Sequence, residues 1–171
     1  METRRLGKGG PDVPVVGICP GDGPGRDAVI RRSLELGGRL FSTAVPGGLA
    51  LPADAVVVPY SLLEQKDANA RIGALAREGR GVAATSVLAG GRLGASPLDP
   101  KISGYRALAR GGRTLVQAAI QFVLANEAVS CAMVRVSRAE HVEEILRAPD
   151  AAPLTGQDLE LIFELWANRF D

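Results

Sequence analysis

Residues 81–94 read Gly-Val-Ala-Ala-Thr-Ser-Val-Leu-Ala-Gly-Gly-Arg-Leu-Gly. The run Gly81–Ser86 is short, and it is apolar on both faces. That suits a parallel strand covered on both sides, closed by a glycine-rich turn. The same unit recurs on either side. Upstream, Ala55–Tyr60 (AVVVPY) is a β-branched strand, followed by a helix over Asp67–Glu78 that turns Ala68, Ile72, Leu75 and Ala76 inward. Downstream, Leu88–Gly112 reads mostly as loop, with six glycines and two prolines. A helix over Arg113–Ala125 and a strand over Ser130–Val136 (SCAMVRV) come next. Further out, Val13–Cys19 is a strand, Pro20–Gly25 a turn, and Arg26–Leu36 a helix stopped by Gly37-Gly38. Leu40–Ala44 is a short strand and Val45–Ala53 a Pro/Gly loop. After residue 136, Ser137-x-x-Glu140 has the form of a capping box opening a helix that buries Val142, Ile145 and Leu146. A last helix begins near Thr155-x-x-Asp158 and runs to about Arg169, with Leu159, Ile162, Phe163, Trp166 and Phe170 as its apolar stripe. Strand and helix alternate throughout, which predicts an α/β fold with a parallel sheet of five strands.

The chain has 171 residues, enough for one domain with a sizeable core, and the reading is a single domain over 1–171. Lys+Arg is 20 against 19 for Asp+Glu, so no basic surface is available to pair with phosphate backbones, and no nucleic-acid partner is expected. The longest apolar region, Val116–Val134, is broken by Gln117, Gln121, Asn126 and Glu127, which excludes a membrane span. The N-terminus carries no apolar stretch after its charges, so a cytoplasmic protein is expected. Cys19 and Cys131 lie far apart in apolar runs and read as free thiols; with no Cys/His cluster, no metal is expected. Only three of the basic residues are lysines, Lys8, Lys66 and Lys101.

The order of these segments resembles that of the aldo-keto reductases. TRRLGKGGPDVPVVGIC resembles their N-terminal hairpin and first barrel strand, and RDAVIRRSLELGGRLFSTA their first helix and second strand. ADAVVVPYSLLEQ resembles the sixth strand, GVAATSVLAGGRLG the seventh, and Thr114–Arg138 the seventh helix and eighth strand. The remainder resembles the eighth helix and the C-terminal helix. Strands three to five have no counterpart. Strand eight neighbours strand one in a closed barrel, so the resemblance implies a partial (β/α) barrel in the order 6-7-8-1-2, with flanking helices and a C-terminal helix. Such a sheet has two open edges, and a homodimer through them is the expectation. The return from the second to the sixth strand must be made within Val45–Asp54, which ten extended residues could just span, at roughly 3.3 Å each.

The resemblance also frames the chemistry. The family reduces carbonyls with an Asp, Tyr, Lys and His tetrad, in which Lys and Asp lower the pKa of the proton-donating Tyr. Ser42 stands where the Asp belongs, no Tyr follows it, and the Lys and His belong to the missing strands. Loss of ketone reduction follows. The cofactor half is better kept: Ser86 and Leu88 match the S-P-L loop, Ser137 and Arg138 fall in the eighth-strand loop, and His141 lies within the eighth helix at a cofactor-side position, though Ile145 replaces an adenine-contacting Asn. Arg138 could pair with a 2′-phosphate. NADP is thus the cofactor to consider, and its depleted site points to a chain that works with none. On the C-terminal rim, where such barrels build active sites, Asp22 is an acid/base candidate, with Ser42 and Tyr60 beside it. Arg92, Lys101, Arg106, Arg110 and Arg113 make the long loop basic, for an anionic ligand or simply a solvated surface. The leading expectation is a biosynthetic enzyme performing a non-redox step (dehydration, isomerisation or cyclisation) on a small molecule. The alternatives are a non-catalytic partner protein and a residual NADP-dependent oxidoreductase.

Overall fold

The computed structural model describes residues 2–168. Strands β1 (Thr3–Arg5) and β2 (Asp12–Pro14) form an antiparallel hairpin. The other strands are β3 (Val16–Pro20), β4 (Leu40–Phe41), β5 (Leu49–Ala50), β6 (Val56–Pro59), β7 (Val82–Thr85) and β8 (Cys131–Val136). They make one parallel sheet ordered β5-β4-β3-β8-β7-β6. The expected order is therefore present, with one strand added: β5 arises inside the stretch read as a bare loop. The helices are α1 (Arg26–Glu35), α2 (Lys66–Arg77), α3 (Leu115–Ala125), α4 (Val142–Leu146) and α5 (Gly156–Ala167). The long loop after β7 is not featureless, since residues Arg92–Gly94 and Pro100–Leu108 are 3₁₀-helical. Arg169 and Phe170, read as the end of the last helix, lie outside the described residues.

Alternation along the strands sorts side chains into two layers. On the helix side, Val16 and Ile18 of β3, Val82 and Ala84 of β7, and Ala132, Val134 and Val136 of β8 pack with Val29, Ile72, Ala119, Ile120 and Val123. The opposite, concave side holds a much smaller cluster: Leu40, Ala83, Cys131 and Met133, closed at its base by Leu6 and Val13 of the hairpin. Gly17 is required on this side, because a Cβ there would fall on the sulfur of Met133.

The sheet must curl. β5 and β6 are opposite edges of six strands, yet only residues 51–55 join them. Crossing a flat sheet of that width takes about 24 Å sideways at ~4.8 Å per strand, besides the drop from strand end to strand start. Six extended steps reach at most about 20 Å. The linking segment lies against the concave cluster through Leu51 and Ala55, so it partly fills the gap left by the missing strands. Leu49 pairs in register with Leu40, and Val57 with Ala83, so both face the concave side. They are 53% and 46% exposed.

The C-terminal helix is held by a buried ion pair. Arg113 donates to the carboxylate of Asp158 at 3.1 Å and to the carbonyls of Leu108, Ala152 and Pro153. Of the five loop cations, Arg113 is thus structural rather than solvated. Thr155, near which the last helix is expected to begin, forms a capping box with Asp158, and Thr114 with Gln117 forms another that opens α3. Only part of the α5 stripe is buried: Ile162 packs inward, while Leu159 and Phe163 face outward, Phe163 being 67% exposed. No helix among the described residues is long and apolar enough to cross a membrane.

Candidate functional site

A cleft of about 480 Å³ opens at the C-terminal ends of β3, β7 and β8. Its floor is Cys19 and Met133, both on the concave side, and Thr85, Arg135 and Ser137 flank it. Its wall is the turn after β7, contributed by Ser86, Val87, Leu88, Gly90 and Gly91. That turn is held in an unusual backbone form. Ser86 and Ala89 take φ of 53° and 49°, and Gly90 and Gly91 follow at 68° and 90°. Ser86 and Ala89 are side-chain-bearing residues in the left-handed region, which costs each of them some conformational energy. Within the turn, Ala89 donates to the Ser86 carbonyl and Gly91 to that of Leu88. Among the described residues, no protein group accepts the amides of Val87, Leu88 or Gly90. Consecutive donors beside left-handed residues are the backbone arrangement that receives anions.

The other candidates are distributed around this cleft. Ser86, Leu88 and Ser137 line it. Ser137 does not cap a helix as its spacing suggested: the segment over Ala139–His141 is 3₁₀-helical, with Arg138 at its N-cap and no side-chain cap bond. Ser137 is instead pressed against the β3–α1 turn, where a Cβ on Gly25 would come within 2.7 Å of the Ser137 carbonyl oxygen. Asp22 stands on that same turn, exposed, 3.5 Å from the guanidinium of Arg135. Ser42 hydrogen-bonds the Cys19 thiol. Burial pushes that thiol above its ordinary pKa, against the opposing effects of Ser42 and Arg135. Arg138 is exposed and pairs with Glu140 at 3.3 Å, and His141 also lies beside Glu140. Tyr60 is placed elsewhere, in the helix layer. Its ring is tilted against Phe122 with centroids 5.4 Å apart; burial raises the hydroxyl pKa, while Asn126 and Asn69 hydrogen-bond it. The sequence reading omitted Cys19, Met133 and Arg135 from the site, although alternation along SCAMVRV already puts Met133 and Arg135 on one face.

A sequence model of the aldo/keto reductase family matches residues 48–167. The chain belongs to the aldo/keto reductase family. Among solved structures it is similar to aldo-keto reductase AKR11C1 from Bacillus halodurans. The holo form aligns with a TM-score of 0.56 at 20% identity, over 81% of this chain and 45% of that one. The apo form aligns with a TM-score of 0.55 at 19% identity, over 88% and 61%. No curated protein sequence matches. The chain therefore spans about half of these aldo-keto reductase structures, and the likeness fixes the partial-barrel fold. Among the described residues no cluster of His, Cys, Asp and Glu could hold a metal ion.

The cleft wall offers groups suited to the phosphate-bearing part of NADP, the family's usual cofactor. The unbonded amides of Val87, Leu88 and Gly90, with Arg135 across the opening, are groups that would hold phosphates. When bound in its reduced form, NADPH, the cofactor would supply hydride. The residues that would complete carbonyl reduction are not around the cleft. No tyrosine, histidine or lysine lines it, and Lys8, Lys66 and Lys101 line other cavities.

Proposed function

We propose that this chain is an aldo-keto-reductase-like small-molecule enzyme that has given up ketone reduction and uses the cleft for a non-redox step. The observation that carries the reading is the contrast within one cleft. Its anion-receiving turn is kept, whereas no tyrosine or lysine lines it. The substrate class this favours is a small molecule with a phosphate or diphosphate handle, held by the turn at residues 86–91. Asp22 is the general base, taking a proton from carbon next to a carbonyl, and Arg135 stabilises the oxyanion that forms. Returning the proton at another carbon gives isomerisation; expelling a β-hydroxyl as water gives dehydration.

Two titrations test it. Inorganic pyrophosphate is expected to shift the amide resonances of Val87, Leu88 and Gly90 saturably. NADPH oxidation with a panel of aldehydes and ketones is expected to stay at background. Turnover of NADPH by the wild-type chain that persists through purification would overturn the non-redox reading and favour a residual oxidoreductase. An unresponsive turn would overturn the anion handle.

We further propose a homodimer in which a second copy covers β6. That strand has a free edge, and the exposed Val57 beside it is apolar. The near-neutral net charge of +1 offers little repulsion between copies. Light scattering in solution is expected to give twice the 17.8 kDa chain mass, and a monomer at all concentrations would overturn the dimer.

A further inference from the structure

Behind the turn at residues 86–91 lies a second cavity, of about 490 Å³. Ser86 and Gly90 line both cavities, so the turn is a shared wall. The lining of the second cavity is of a different kind. Leu63, Ile102 and Tyr105 are buried apolar side chains, and Leu165 of α5 closes one side. Tyr105 donates to the Leu62 carbonyl, which fixes its ring as part of the wall. Gly104 brings the 3₁₀ segment close to α5, since a Cβ there would lie 2.6 Å from Leu165 Cδ2. The volume lies in the range of small-molecule sites, which combine an apolar lining with a few placed polar groups.

Charge at the mouth selects the ligand. Arg92 is already paired with Asp99 at 2.9 Å. The Asp99 carboxylate also accepts the Lys101 backbone amide, anchoring the segment on which Lys101 stands. The Lys101 ammonium makes no salt bridge among the described residues. Glu64 is the only carboxylate in the lining, and it disfavours a doubly charged anion. We infer that this cavity is a separate binding site for an apolar monocarboxylate, such as an arylalkanoic or medium-chain acid. The hydrocarbon lies on Leu63, Ile102, Tyr105 and Leu165, and the carboxylate meets Lys101. The inference does not depend on what the first cleft binds, because its ligand has no phosphate and its recognition uses none of the free amides of the turn.

The test is an NMR titration of the full chain with 3-phenylpropionate and, separately, with its neutral amide. The acid is expected to shift Leu63, Gly104 and Tyr105 saturably at sub-millimolar to millimolar concentration, and to bind about fivefold more tightly than the amide, as a partly exposed ion pair would give. Lys101→Met should reduce the acid to the affinity of the amide without changing the amide's own, and Lys101→Arg should restore the preference. Three results would each overturn the inference: no saturable shift, equal affinity for acid and amide, or shifts centred on Cys19, Met133 and Arg135. The first two leave the pyrophosphate experiment on the other cleft unaffected, so failure of either reading is separable.

Discussion

The two faces of the sheet are unequal. The helix-side face is a complete core, with Ile18, Phe41, Ile72, Leu108 and Ile120 all fully buried. The concave face is built from Gly17, Ala83, Cys131, Met133 and Leu40, and it runs out at both edges into the exposed Leu49 and Val57. In a closed barrel the concave residues are covered by strands from the far side. Here the hairpin and residues 51–55 do part of that work. The comparison teaches where stability and function separate. The helix side is what any parallel α/β domain needs, and it is intact. The concave side is thinly covered, and its rim carries the cleft lined by Cys19, Met133 and Arg135.

The largest effect should come from the clamp that holds α5 to the helix-side layer. Asp158→Ala leaves the buried Arg113 without its counter-charge, and removal of one partner from such a pair costs about 3–5 kcal/mol. Urea unfolding measures it, and a loss below ~1 kcal/mol would show that the carbonyls of Leu108, Ala152 and Pro153 suffice for Arg113. The same residue gives a pH dependence. Burial raises the Asp158 pKa, but hydrogen bonds from the Thr155 backbone, Arg113 and the Thr155 hydroxyl outweigh it, so the carboxyl titrates below its ordinary value. A depressed folded pKa contributes stability that is present above the unfolded value of about 4 and is lost as pH falls through the folded one. Acid unfolding should therefore be less steep in Asp158→Asn than in the wild type.

Core truncations sharpen the contrast directly. Ile72→Ala on the helix side opens a cavity that no water reaches and should cost about 2–5 kcal/mol. Met133→Ala on the concave side enlarges a floor already open to the cleft, and should fall at the low end of that range, about 2 kcal/mol. Equal costs would mean that the concave face is as well packed as the other.

How far these differences could be read in advance follows from which residues carry them. The parallel sheet was legible because AVVVPY, GVAATS and SCAMVRV are apolar on both faces, its strand order only through the family resemblance, and the helices because Ala68, Ile72, Phe122 and Val123 recur at helical spacing. β5 was not legible: Leu49-Ala50 lies among Pro46, Gly47, Gly48 and Pro52, and its pairing is imposed by β4 and by the short return to β6. Ser137-x-x-Glu140 has the letters of a capping box but meets a 3₁₀ turn, so the motif does not close. Tyr60 ends a strand at the rim, as expected of a site residue, yet period two turns it toward Phe122. Arg113 looked like one more loop cation because its partner, Asp158, is 45 residues away. In the site, the Ser86–Gly91 turn was visible by resemblance, whereas its unbonded amides depend on backbone angles that no single residue type announces.

The exposed rim gives a smaller effect on folding. Val57→Lys places a charge on the free edge of β6, where it should change monomer stability by no more than about 0.5 kcal/mol. If a second copy covers that edge, the charge should nonetheless convert the dimer to monomer, because an edge lysine opposes strand pairing. A dimer that survives the substitution would move the interface elsewhere.

The last experiment leaves the fold untouched and asks how closed the concave face is. Cys19 and Cys131 face this side of the sheet at different depths. Burial, with a smaller contribution from the nearby Cys19, pushes the Cys131 thiol up to about 12. At pH 8 such a group is ionised in about one molecule in 10⁴, and the thiolate is the form that reacts. Cys131 should therefore resist Ellman's reagent until the protein unfolds. Cys19 sits half-buried at the cleft floor with its pKa also raised, so it should react more slowly than free cysteine but well before Cys131. One fast and one protected thiol would show the hairpin and residues 51–55 sealing the base of the partial barrel while its mouth stays open. Two fast thiols would show water reaching Cys131, and the concave cluster would then be no core at all.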